Sequence, residues 1–153
     1  MPFYYFDTVH AIREHDFIIE NSGGRSGIIN AGLVDSVIEH IQNDNYYPEL
    51  EDKTCHLFFS INKNHAFNDG NKRTSIVLCA YFLELNGFDF KVNYFIQEME
   101  NIAVHVADNR IERDLLYEII KSILYDNEYN EELQLRIVNA ITIDENNITE
   151  TEF

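Results

Sequence analysis

The chain has 153 residues and a mass of 18.0 kDa, with 27 acidic against 11 basic side chains and a net charge of −16. That charge repels nucleic acid, and no apolar run reaches the roughly 18 residues of a membrane span, so neither DNA or RNA nor a bilayer is expected as a partner. The size suits one domain that buries a core without staples, and Cys55 and Cys79 sit in apolar helical patterns that read as reduced thiols; with no targeting segment, a cytoplasmic protein is expected.

The apolar spacing predicts a succession of helices. Thr8 to Asn21 opens at an Asp7 or Thr8 cap and buries Val9, Ile12 and Ile19; Asn30 to Ile41 places Leu33, Val34, Val37, Ile38 and Ile41 on one face. Glu51 to Asn64 is a third, with Cys55, Phe58, Phe59 and Ile61 apolar. Asn71 to Leu85 is apolar almost throughout and closes on Asn86-Gly87, the mark of a buried helix stopped by glycine. Phe88, Phe90 and Val92 alternate with polar residues, which predicts a short strand or extended arm at best. Tyr94 to Ala107 and Glu112 to Tyr125 follow as helices, through Phe95, Met99, Ile102 and Val106 and then Leu115, Ile119, Ile120 and Ile123. Leu133, Ile137, Val138 and Ile141 suggest a seventh, after which the last dozen residues have little to bury and are expected to fray. The fold class is therefore all-α, a compact bundle of about six core helices plus a C-terminal helical extension. From Asp126 to Phe153 the chain carries eight carboxylates and one cation, Arg136; a solvated end is the plainer reading, reception of a basic partner segment the other.

Chemistry concentrates in His65-Ala66-Phe67-Asn68-Asp69-Gly70-Asn71-Lys72-Arg73-Thr74, the loop that enters the fourth helix. Free N–H groups at a helix start, reinforced by the dipole, form an anion site. Lys72 and Arg73 add positive charge there, Asp69 can hold a divalent cation or cap the helix, and His65 can take a proton. Gly70 permits close approach to phosphate, and Asn71 can tie the loop to itself. An arginine at a helix start opposes the dipole, a cost that makes sense if an anion neutralises it. Together these are the parts needed to move a phosphate-containing group.

The pattern H-x-F-x-[D/E]-G-N-x-R, matched at His65, Phe67, Asp69, Gly70, Asn71 and Arg73, resembles the Fic/Doc superfamily. Asn71-Lys72-Arg73-Thr74, together with Ser22 to Ile28 and Tyr81 to Gly87, is most similar to its death-on-curing (Doc) toxin branch. The similarity runs from about Thr8 to Tyr125, so residues 1–125 form the family-like part and 126–153 an acidic extension, a helix plus frayed tail, of the same domain.

The resemblance implies His65 as base, Asp69 on Mg2+, and Gly70, Asn71, Lys72 and Arg73 around the phosphates of ATP. It implies a toxin that modifies a hydroxyl of a target protein, with elongation factor Tu as the family precedent, and a separate antitoxin whose segment docks in a groove. Lys72 stands where adenylylating members carry glycine, and Ile76 where they carry a γ-phosphate-gripping arginine. That missing contact is worth about 1.5–3 kcal/mol. Kinase chemistry on the γ-phosphoryl is thus favoured; protein adenylylation and a catalytically silent toxin–antitoxin binding module are the alternatives. The self-silencing string S/T-x-x-x-E-G/N is absent: Thr142-Ile143-Asp144-Glu145-Asn146 is one residue too short. Ser22 to Gly27 reads as an interhelix turn or as a mobile loop beside the site that pairs with an extended target segment. With no strand before it, it is not read as a nucleotide cradle.

Overall fold

A computed structural model describes residues 2–151, with side chains described through 142. Its helices are α1 (Thr8–Ser22), α2 (Ala31–His40), α3 (Leu50–Lys63), α4 (Asn71–Leu85), α5 (Val92–Ala107), α6 (Arg113–Tyr125) and α7 (Glu131–Thr151). No strand forms among the described residues; the nearest thing is an isolated antiparallel bridge between Ile28 and Phe67. None of these helices is long and apolar enough to cross a membrane. The fraying expected of the last dozen residues, and the Thr142 to Asn146 string, fall beyond the described side chains.

α4 is the central element. α3, α5 and α1 pack around it, α2 and α6 pack on α3, and α7 lies on α6. Thr74, Ser75, Ile76, Leu78, Cys79, Ala80, Phe82 and Leu83 are buried, so α4 is enclosed on nearly every side, as its unbroken apolar run predicts. Each such large apolar side chain contributes about 1.5–3 kcal/mol on burial. The N-terminus of α4, where the motif lies, is therefore held by the core itself. Both cysteines are free and buried, and burial pushes the Cys55 thiol up to about 12.

Three local expectations need correction. Val9 is 62% exposed: the buried stripe of α1 is Ala11, His15, Ile18 and Ile19, and Val9 lies off it. Val138 is likewise exposed, because α7 turns Leu133 and Ile137 toward the body instead. Phe88 to Val92 is neither strand nor arm. After Gly87 (φ 84°) turns the chain, Asp89–Lys91 form a 3-10 turn and α5 begins at Val92. No strand lies alongside to pair with it, and Phe88 instead stacks on Phe90 and meets Tyr125 edge-on.

Lys53 is fully buried in the first turn of α3. Its Nζ donates to Ile41 O and to Asp44 Oδ1, both at 2.6 Å, and lies over the rings of Phe3 and Tyr5. The ammonium thus pins the loop after α2 and the N-terminal segment to α3. Lys53→Met keeps the stem but leaves the Ile41 carbonyl without its donor, while the exposed Asp44 returns to water. The expected cost is about 1–3 kcal/mol in urea unfolding at pH 7; an unchanged midpoint would show that the ammonium contributes nothing.

Candidate active site

The motif loop spans the gap from the end of α3 to the start of α4. α3 closes on Asn64, whose N–H donates to Ser60 O, and His65 follows with φ 52°, the left-handed position that ends helices. That turn leaves His65 exposed at the edge of a cavity. Ala66 and Phe67 then dive into the core. Gly70 caps α4 at φ 79°, a conformation that suits glycine, and supplies no side chain to satisfy the helix. Thr74 N–H donates to Gly70 O, which leaves the amides of Asn71, Lys72 and Arg73 as the open end of the dipole.

The cavity, ≈ 400 Å³, is lined by His65, Asp69, Gly70, Asn71, Lys72 and Arg73, all six residues singled out in the sequence, with Asn62, Asn68 and Ala107. Among the described residues His65, Lys72 and Arg73 form no ion pair or side-chain hydrogen bond. Asn71 is engaged: its Nδ2 donates to Phe67 O at 3.0 Å and its Oδ1 accepts Phe67 N–H at 3.2 Å. Its side chain therefore shapes the loop with its oxygen and one of its two amide N–H groups.

Asp69 accepts from Arg25 N–H on one oxygen and Gly70 N–H on the other, at 3.1 and 2.8 Å. Those two bonds hold its carboxyl below the usual carboxylate range, with the charges of Arg73 and Arg25 adding less, so it is ionised at neutral pH. Asn62 is 2% exposed; its Nδ2 donates to Ala103 O and its Oδ1 has no hydrogen-bond partner.

Two supports escaped sequence reasoning. His15 of α1 is completely buried, stacked face to face on Phe67 at 3.8 Å and 9°, with Nε2 2.6 Å from Asp69 O. Its one signal in the sequence is a polar side chain on the Ala11, Ile18, Ile19 stripe, which demands a partner. Arg25 is the second. The Ser22 to Gly27 segment lies on the motif loop: Arg25 Nη2 donates to Asn68 O, Asn68 N–H to Gly27 O, and Asn68 Nδ2 to Ser26 O. The segment thus connects α1 to α2 and also braces the motif loop at Asn68 and Asp69.

Gly24 shows how closely. A Cβ there would stand 2.8 Å from Asp69 Oδ2 and 3.2 Å from Arg73 Nη2, at φ 122°. Gly24→Ala is expected to lift this segment off Asp69 and slow transfer by about 10²-fold, since misplacement near 1 Å costs that much. Thermal unfolding should shift little, because the segment is exposed. A wild-type rate would mean that its position is irrelevant to the chemistry.

The sequence matches the family profile described as Fic/DOC family over residues 5–83. It is 32% identical over 96 residues to the Toxin Doc of Mycolicibacterium smegmatis (strain ATCC 700084 / mc(2)155), covering 60% of this chain and 74% of that protein. It is also 32% identical over 100 residues to the Protein kinase doc of Escherichia phage P1, covering 63% and 77% respectively.

Proposed function

Because this chain belongs to the Fic/DOC family, we propose that it is a toxin-like protein kinase that moves the γ-phosphoryl group of ATP to a hydroxyl of a target protein. One observation carries the reading. A base and two cations, none of them in an ion pair or side-chain hydrogen bond among the described residues, stand around the uncapped start of a core helix. Such a site stabilises a transferring phosphoryl group by position and charge alone.

In this reading His65 takes the proton from the target hydroxyl as its oxygen bonds to the γ-phosphorus. The bond to the bridging oxygen breaks and ADP leaves. Arg73, Lys72 and the open amides of α4 meet the charge on the phosphoryl oxygens, while Gly70 lets them approach. Magnesium is the proposed ion, with Asp69, an ionised carboxylate at the edge of the cavity, as its one protein ligand. Such an ion takes one or two carboxylates and completes its shell with water and phosphates. Bound there, it would neutralise phosphate charge.

Phosphoryl rather than adenylyl transfer is supported by Lys72, exposed beside the helix start, and by Ile76, which packs in the core where an arginine would be needed. The phage relative's name, a protein kinase, agrees. A separate antitoxin is proposed as the controlling partner, in keeping with the name of the mycobacterial relative and the missing self-silencing string. A translation factor is the proposed target. Intact-mass measurement of candidate factors incubated with protein, ATP and magnesium tests it: one added phosphoryl group is expected, and an added adenylyl group would overturn the kinase assignment.

A further inference from the structure

A second and larger cleft, ≈ 700 Å³, runs between α3 and α6. α3 contributes His56, Phe59 and Lys63 from one stripe, Tyr47 comes from the loop before it, and Arg113 and Tyr117 face them from α6. The two cations are committed to the walls. Arg113 lies over Phe59 at 4.4 Å and its Nη1 donates to His56 Nδ1 at 3.1 Å. Lys63 Nζ donates to Val106 O and to Asn109 Oδ1.

The carboxylates are not so balanced. Asp52, Glu112, Asp114 and Glu118 line the same cleft, and Glu112 and Glu118 form no ion pair among the described residues. Asp114 has Arg136 only at 3.7 Å. Burial and the carboxylates of Asp52, Glu51 and Glu118 raise the Tyr117 hydroxyl above its ordinary value, a local sign of the same negative field.

His56 supplies an independent pointer. The residue is 9% exposed and its ring stacks on Tyr47. Burial, then Arg113 and His40, lower its imidazole to about 4, so it is neutral at pH 7. A guanidinium can only donate, so Nδ1 accepts and Nε2 carries the hydrogen. That Nε2 is buried without a hydrogen-bond partner. The cleft thus joins the exposed ring of Tyr46, a face for Lys and Arg side chains, to unpaired carboxylates and one donor lacking an acceptor. A peptide with basic side chains answers all three, since its carbonyls supply the acceptor.

We propose that the α3–α6 cleft is a docking groove for a short basic segment of the protein substrate. From Asp52 to Lys63 the groove follows α3 for about 16 Å, room for about five extended residues. Lys63 closes its end beside Asn62, which lines the motif cavity, so a segment held there keeps its protein next to His65. The assignment of this occupant rests on the proposed protein-modifying activity; peptide binding itself does not need transfer.

The probe is a fluorescein-labelled (Gly-Arg)4 peptide, with (Gly-citrulline)4 as the uncharged control, followed by anisotropy. Wild type should bind the basic peptide saturably and the control at least tenfold more weakly. Glu112→Gln with Glu118→Gln should weaken binding at least tenfold. Glu100→Gln with Glu131→Gln, which removes the same charge elsewhere, should stay within twofold. Equal weakening by both pairs, or no saturable binding by wild type, overturns the groove. The unlabelled peptide should also raise KM for the protein substrate and leave that for ATP unchanged. A peptide that fills the cleft without moving KM overturns the substrate as its occupant. A wild type that binds peptide but transfers nothing counts against the kinase reading and leaves the groove standing.

Discussion

His65→Ala should lower phosphoryl transfer by about 10²–10⁴-fold and abolish growth inhibition with it, the range expected for loss of a positioned general base. No other group on the cavity can take over. Asp69 is held below the usual carboxylate range by two backbone N–H groups and is a poor base. His15, the other imidazole nearby, is fully buried with Nε2 bound to Asp69 O. Because His65 sits at φ 52°, alanine adds about 1 kcal/mol of backbone strain. His65→Asn removes the base while suiting the left-handed turn, and separates the two effects. Both variants should fold, since the side chain is exposed and without partners among the described residues. Either variant working within about tenfold of wild type would take the base away from His65.

Arg73→Ala should lower transfer by about 10²–10³-fold and weaken ATP binding as well. Its guanidinium is not tied into the fold. It forms no ion pair among the described residues, and it lies close enough to Gly24 that a Cβ there would meet Nη2 at 3.2 Å. A cation at the positive end of a helix is unfavourable until an anion arrives, and here only the nearby charge of Asp69 offsets it. Removing it should thus change the stability of the unliganded protein little, and Tm should stay near the wild-type value. Arg73→Lys should recover only part of the activity, because an ammonium cannot make a two-pronged contact with phosphate. Calorimetric titration with ATP and magnesium, alongside single-turnover rates, measures both effects. Unchanged affinity and rate would assign Arg73 a structural role.

The parts of this site that could be read from the chain are those encoded locally. α4 runs from Asn71 to Leu85 as expected, because Gly70 opens it and Asn86-Gly87 closes an unbroken apolar run. The six motif residues share one loop, so one cavity gathers them. What stayed hidden depends on distant partners. His15 matters through Phe67 and Asp69, more than fifty positions away, and nothing in its own helix announces them. Lys53 lies in a polar run at the start of α3, with nothing to mark it as buried, and finds its acceptors in the loop before that helix. Val9 looks like a core residue in the sequence because apolar character alone does not fix the phase of a stripe whose centre is a histidine. Phe88 to Val92 alternates like a strand, yet alternation needs a neighbouring strand to become one. Ser22 to Gly27 could be seen as a turn or as a loop beside the site, and its hydrogen bonds to Asn68 and Asp69 make it both.

Parallel reactions of the wild-type protein and its target with ATP labelled at the α- or the γ-phosphate distinguish phosphoryl from adenylyl transfer. Under the proposed kinase chemistry, Lys72 beside the helix start and Ile76 buried beneath it would disfavour the triphosphate orientation that exposes the α-phosphate. Label should therefore reach the target from the γ position and not from the α position, and His65→Asn should erase it. Label arriving from the α-phosphate would contradict the kinase account and make this protein an adenylyltransferase.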